Sequence, residues 1–315
     1  MAPGRRLSSA MLELRHLRYF LATAEELNYG RAAERLKIAQ PGLSQQIMNL
    51  EEIVGTPLFD RTRRSVRLTL AGELFAQEAR KALQQTDSAL LVARRAGRGE
   101  LGRIAIGYVG SAAYTGALTT MVGEFRAAYP EVDLQIAEME MQHQLDQLDQ
   151  GRLDIGFIRP PVPLPLGIGS IAILQEEIML ALPESHPMVE QDHVMLSALN
   201  GDIFITPRHP PEVSFHKHTT AACQAAGFFP RLGAQGRDFV TIASMVAVGL
   251  GVALVPQSLR CIQVPGLRYK AISGEPVLAE LAVAYRRNEP SPVARAFAAH
   301  ARRWAATSKS VEIEN

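Results

Sequence analysis

Residues Asn28 to Arg67 constrain the fold most tightly, because they place a helix crossing, a turn, a second helix and a basic hairpin in a fixed order. Arg31 to Leu36 reads as a short helix, kept thin by Ala32 and Ala33 where a second helix must cross it. Pro41 suits the first position of that second helix, where a missing N–H costs nothing, with Gln40 at the cap. Leu43, Ile47 and Leu50 repeat at the spacing of one helical face, so Pro41, Ser44, Gln45 and Asn49 point outward. An outward face of hydroxyls and amides without charge fits base edges in a major groove. After a turn at Gly55, Pro57, Leu58 and Phe59, the cluster Arg61, Arg63, Arg64 and Arg67 reads as a wing laid over a phosphate backbone. The expected DNA-facing set is Arg31, Gln40, Pro41, Ser44, Gln45, Asn49, Arg61, Arg63 and Arg64. A plain helical pair beside a solvated basic loop is the competing reading, and the wing shifts the balance toward DNA.

A chain of 315 residues exceeds what one core usually serves, so two or three folding units are expected. Its net charge of +1 hides an asymmetry. Residues 1–99 hold 16 Lys or Arg against 10 Asp or Glu, a balance of +6, and the remainder holds 17 against 22, a balance of −5. The basic part contains the DNA motif, as phosphate neutralisation requires. Cys223 and Cys261 lie far apart without metal-ligand spacing, so a disulfide framework and a zinc site are not indicated, and a reducing cytoplasm fits. The uncharged stretch Phe239 to Pro256 reads as a buried helix, a glycine turn and a buried parallel strand rather than a membrane span.

Leu70 to Arg98 holds no proline and reads as one long helix. Phe75, Ala79, Ala82, Thr86, Ala89 and Ala93 alternate spacings of four and three, a small-residue heptad seam that predicts a homodimer. Two recognition helices held about 34 Å apart then enter successive major grooves, which predicts an interrupted palindromic operator in double-stranded DNA. Beyond a hinge at 94–99 the texture changes to alternating strands and helices: strand Arg103 to Val109, helix Tyr114 to Ala128, strand Val132 to Glu138, helix Gln142 to Gln150, strand Asp154 to Ile158. A proline-rich crossover, Pro160 to Pro165, leads to a second set of elements, and strand Leu278 to Tyr285 with helix Val293 to Trp304 returns to the first. Ligands of such sheets lie beyond the carboxyl ends of the strands. Ser111, at a helix start after the first strand, and Arg159, which ends the strand Asp154 to Ile158, are therefore candidates for an anionic ligand, the serine equally for a cap.

The motifs Ala32-Ala33, Gln40-Pro41, Ser44 to Ile47, Leu50-Glu51, Gly55 to Arg61 and Leu68 to Gly72 together resemble the LysR-type transcriptional regulators, and the similarity runs to about residue 290. Gly42-Leu43 departs from the usual small polar residue followed by Val. The resemblance implies a winged helix-turn-helix and linker helix followed by a two-lobed α/β effector domain of periplasmic-binding-protein type. It also implies a dimer or dimer of dimers and a small organic-acid effector, with RNA polymerase as a further candidate partner. The expected divisions are a disordered leader 1–10, the DNA-binding domain 11–69, a linker helix and hinge 70–99, an effector domain 100–305 and a tail 306–315. Lobe I is expected at about 100–160 and 275–305, and lobe II at about 161–274.

From Gly107 to Pro161 the chain is similar to regulators of aromatic-compound catabolism that sense muconate or benzoate, which places effector contacts at Ser111, Arg159 and around Phe215. Met141 is a departure, a thioether where that subgroup places a threonine hydroxyl, and it points away from muconate itself. His209, His216 and His218 cluster in sequence, yet His216 and His218 do not share a helical face, so no metal is expected. There is no Gly-x-Ser-x-Gly, His-Glu-x-x-His or P-loop, and Gly249-x-Gly251 lacks the context of a dinucleotide site, so neither an enzyme nor a cofactor is expected. The leading expectation is an effector-responsive DNA-binding regulator in the cytoplasm, associated with the nucleoid. The alternative is an effector-independent repressor or architectural protein whose second domain only oligomerises.

Overall fold

A computed structural model describes residues 11–62 and 65–312, so the expected leader and the calls on Arg63 and Arg64 lie outside the described residues, and of Arg61 only the backbone is described. Two compact units part between Arg94 and Arg95.

The first unit opens with helices α1 (Leu14–Glu26), α2 (Tyr29–Leu36) and α3 (Gln40–Val54). Asn28 caps α2 by accepting the Arg31 N–H at 3.1 Å, and Lys37 at φ 57° stops it with a left-handed turn. Ala32 and Ala33 are buried at the crossing, as their size predicts. α3 begins one residue earlier than expected, with Ala39 at the cap and Gln40 as its first residue. Leu43, Ile47 and Leu50 are wholly buried together with Phe20, whose ring meets Phe59 at 5.3 Å and Phe75 at 5.0 Å. The antiparallel hairpin of β1 (Phe59–Thr62) and β2 (Ser65–Leu68) forms the wing.

Helix α4 (Leu70–Gly97) follows, about 42 Å long at 1.5 Å per residue. Its Gly72 is obligatory, since a Cβ there would stand 2.1 Å from the Leu58 carbonyl oxygen. The heptad reading of α4 needs one correction: Ala76 and Ala79 are buried in the unit's own core and Phe75 packs on Phe20, so the first members of the seam are used at home. Ala82, Ala89, Leu90, Leu91, Val92 and Ala93 stay exposed on the single chain.

The second unit is built on two sheets that share one strand. Its elements are β3 (Gly102–Tyr108), α5 (Gly110–Tyr114), α6 (Ala117–Ala128), β4 (Val132–Glu138), α7 (Met141–Asp149), β5 (Ile155–Ile158), β6 (Ile168–Pro183), β7 (His193–Val194), β8 (Ile203–Pro207), α8 (Ser214–Ala225), β9 (Arg231–Gly236), α9 (Phe239–Ala247), β10 (Ala253–Pro256), β11 (Leu267–Ile272), β12 (Leu278–Arg286) and α10 (Pro292–Glu312). In lobe I the order is β4-β3-β5-β12-β6, with β3 parallel to β4 and β5 and with β12 antiparallel to β5 and β6. The expected helix Tyr114 to Ala128 is two helices, because Gly116 at φ 76° breaks it.

Strand β6 is where the lobes divide. Its first ten residues pair with β12 in lobe I, and from Ile178 onward it pairs with β10 and β11 in lobe II. The boundary expected after residue 160 therefore lies near Glu177. The polar run Gln175-Glu176-Glu177 hides this in the sequence, since it ends the apolar stretch while the backbone continues as strand. Lobe II also holds the parallel pair β8 and β9. The parallel strand expected at the end of the stretch Phe239 to Pro256 is antiparallel to β6 over Ala253–Pro256, and Val252 bridges Phe204 in parallel. Helix α10 continues through Glu312, so the segment expected as a tail is helical to that point. No helix among the described residues is long and apolar enough to cross a membrane.

Candidate functional site

Two surfaces carry the chemistry. On α3, Pro41, Gly42 and Gln45 are exposed and Ser44 and Asn49 half-buried, opposite the buried Leu43-Ile47-Leu50 face. Gln45 Nε2 donates to Asn49 Oδ1 at 2.9 Å, so the pair presents one amide oxygen and one amide nitrogen outward, the complement that a base edge requires. Sequence reasoning missed the groups that aim this helix. His16 on α1 accepts the Glu13 N–H on Nδ1 at 3.1 Å, which leaves the proton on Nε2 to donate to Gln46 Oε1, also at 3.1 Å. Glu51 Oε1 accepts the N–H groups of Leu58 and Phe59 at 2.9 and 3.0 Å, tying α3 to the first strand of the wing. Arg31 is exposed but already engaged, donating to the Glu26 carbonyl at 2.7 Å, so a phosphate would have to compete for it.

The second surface is a cleft between the lobes of the second unit. Its lining follows the strand ends: Gly110 and Ser111 after β3, Met141 after β4, Arg159 after β5, His209 after β8, and Phe239 after β9. The N-termini of α7, α8 and α9 reach it through Met141, Ser214 and Phe239, and the carboxylates of Glu140 and Asp238, which stand at the caps of α7 and α9, already meet the dipoles of those two helices.

Arg159 lies at the bottom and is 2% exposed. Its Nε donates to Ser111 Oγ at 3.1 Å and its Nη2 to Glu176 Oε1 at 2.5 Å, while Nη1 is buried without a hydrogen-bond partner. Burial pushes the guanidinium pKa down, and Glu176 opposes that shift. The other Glu176 oxygen accepts the Ser258 N–H at 2.6 Å. Glu176 was not foreseen, because its partner lies on another strand and no local pattern marks it.

Ser111 and Met141 line the cleft and are themselves nearly buried. Phe215 does not line it. Its ring stands behind the guanidinium, 5.9 Å from Arg159 Cζ and 4.7 Å from the Phe239 ring, and Phe239 takes the lining position. The correction has a simple cause: α8 begins at Ser214, whose N–H bonds the Pro161 carbonyl at 2.7 Å, and this turns the next side chain into the core. The three histidines do not converge on one point. His216 Nδ1 donates to the His209 carbonyl at 2.9 Å, and His218 Nε2 faces the Pro160 carbonyl at 3.4 Å. His209 lines the cleft with Nδ1 unpartnered, and burial lowers its pKa, so the ring is neutral near pH 7.

Two family models match the chain: a bacterial regulatory helix-turn-helix protein of the lysR family over residues 14–73, and a LysR substrate binding domain over residues 97–306. The HTH-type transcriptional regulator AlsR of Bacillus subtilis (strain 168) is 35% identical over 286 residues, 91% of this chain and 94% of that protein. The HTH-type transcriptional regulator BudR of Raoultella terrigena is 36% identical over 288 residues, 91% of this chain and 99% of that protein. Among solved structures, full-length CbnR complexed with its target DNA is 28% identical with a TM-score of 0.74, covering 93% of this chain and 100% of that one.

Proposed function

The chain belongs to the LysR family of bacterial DNA-binding transcriptional regulators, and on that premise we propose that a small organic acid seated against Arg159 controls how it binds its operator. Its DNA-binding part is the helix-turn-helix with its wing, its second part is a substrate-binding domain, and its relatives are regulators rather than enzymes. For the finer assignments, residues 11–69 read DNA, 70–99 pair and connect, and 100–305 sense the effector. Ser44, Gln45 and Asn49 contact base edges, and Gln40, Pro41 and the wing arginines Arg61, Arg63 and Arg64 fit the backbone, with Arg31 beside them. The exposed half of α4 supports a dimer, and two dimers fit an interrupted palindrome read on one face of the duplex. Action on chromosomal DNA places the protein in the cytoplasm at the nucleoid, with RNA polymerase as its partner there.

One observation carries the effector reading: a buried guanidinium keeps a donor unsatisfied in a cleft ringed by strand ends and helix N-termini. A carboxylate oxygen there would complete it. Ser111 and Met141 would flank that ligand, and Phe215 would hold the guanidinium from behind. Met141 puts a thioether where the aromatic-catabolism regulators this chain resembles place a hydroxyl donor, and their acids make up the first panel for the test. The test is a mobility-shift assay on DNA upstream of the protein's own gene, with and without aromatic acids and muconate, repeated with Arg159→Ala and Arg159→Lys. The second variant keeps the charge beside Glu176, whose isolation could cost about 3–5 kcal/mol. Loss of the response with DNA binding intact supports the reading; an unchanged response in both variants removes Arg159 from the site.

A further inference from the structure

We infer that the ligand of this cleft is a zwitterion, a small monocarboxylate bearing an ammonium group, of the amino-acid class. The inference rests on the reading that Arg159 receives a ligand carboxylate. It concerns what the rest of the cleft asks of that ligand.

The cationic end has room for one carboxylate. Of the guanidinium's five N–H donors, Nε–H is taken by Ser111 and one of Nη2 by Glu176, and the buried Nη1 has no partner. Glu176 also offsets the charge of Arg159, so this end carries no surplus positive charge for a second carboxylate.

The remaining wall has the opposite sign. Glu138, Glu140 and Asp238 line it, against Arg237 as the other cationic side chain of the lining. Asp238 spends one oxygen on the Thr241 N–H at 2.7 Å, capping α9. Glu140 stands 4.0 Å from Arg237 in a pair whose side chains are 67% and 74% exposed, a weak mutual neutralisation. The Glu138 side chain has no hydrogen-bond or ion-pair partner among the described residues, and its carboxylate closes on Gly110, where an added Cβ would stand 2.7 Å away. His209 lies in the same wall, its Nδ1 buried without a partner and its ring kept neutral near pH 7 by burial, so it adds no positive charge there.

A second ligand carboxylate would face this acidic wall and be repelled. An ammonium group would be attracted by Glu138 and Glu140. Charge complementarity along the cleft therefore runs from one cationic pocket to one anionic rim, which is the pattern of a zwitterion.

Isothermal titration calorimetry on the full-length protein tests this with the proteinogenic L-amino acids, the des-amino acid of each binder, and succinate and muconate as dicarboxylates. At least one amino acid should bind about fivefold or more tightly than its des-amino counterpart and than either dicarboxylate, the product of two exposed ion pairs. The double variant Glu138→Gln/Glu140→Gln should erase that preference while still binding the des-amino acid. Binding of no amino acid, equal binding of the des-amino acid or a dicarboxylate, or a preference that survives the double variant overturns the inference. Arg159→Lys separates the two levels: if it weakens no binder, the Arg159 reading falls as well, and if it weakens carboxylates without any amino-acid preference, only the zwitterion does.

Discussion

Glu51→Ala probes how the recognition helix and the wing are held as one surface. In the folded chain Glu51 Oε1 accepts two backbone N–H groups, from Leu58 and Phe59, which are 0% and 3% exposed. Truncation leaves both donors buried and unmatched, at about 1–3 kcal/mol each. Water entering the space left by the side chain recovers part of this, so about 3 kcal/mol is expected for the first unit. A domain of that size shifts by roughly 4–8 °C per kcal/mol, which places its melting transition about 12–24 °C lower. Glu51→Gln keeps an acceptor oxygen at the same place and should recover more than half of the loss. The assay is calorimetric unfolding of the full chain, with operator binding measured below the lowered transition. An Ala variant within about 0.5 kcal/mol of wild type, the scatter of neutral surface substitutions, would refute the role assigned to Glu51.

Three further outcomes are expected. Gln45→Ala, which removes an exposed amide on the outward face of α3, should cost roughly 1–3 kcal/mol on the specific operator and little on random DNA; equal loss on both in a fluorescence titration would exclude base reading. Burial holds His209 and His218 below their ordinary value of 6.5, so the native chain binds fewer protons than the unfolded one. Their contribution to stability is full above about pH 6.5 and is lost as pH falls through the folded-state values. Melting temperature should therefore drop between about pH 7.5 and about pH 5.5, less so in His209→Asn and His218→Asn, and equal slopes in all three proteins would contradict the assignment. Cys223 is wholly buried, with its thiol pushed up to about 12, whereas Cys261 is exposed. Maleimide should therefore label one thiol per native chain and two after denaturation, and rapid labelling of both would argue for a reactive pair.

The sequence made the recognition helix legible because one element supplies both its buried and its outward face, and a period of 3.6 separates them. Arg159 was legible for a different reason, since in a parallel sheet the end of a strand is already an address. What escaped was tertiary. Glu176 sits mid-strand on β6 with nothing local to mark it, and it matters only because β5 delivers Arg159 beside it. Phe215 and Phe239 are equally plausible in sequence, and the backbone bond from Ser214 to Pro161 decides which ring reaches the cleft. Strand β9, Arg-Leu-Gly-Ala-Gln-Gly, has no apolar alternation to announce it, because its exposed face is small and polar. The α4 seam shows the opposite failure: its heptad pattern is real, but a single chain already buries part of it.

Hydroxyl-radical footprinting on the DNA upstream of the protein's own gene, with and without the acid found by calorimetry, most directly tests the claim that Arg159 governs paired reading of DNA. Wild-type protein should protect two stretches about 34 Å apart on one face of the duplex, with a pattern that changes on adding the acid. Arg159→Lys should show the same two stretches and no change. A single unpaired stretch, or an acid-dependent change that persists in the variant, would contradict the account.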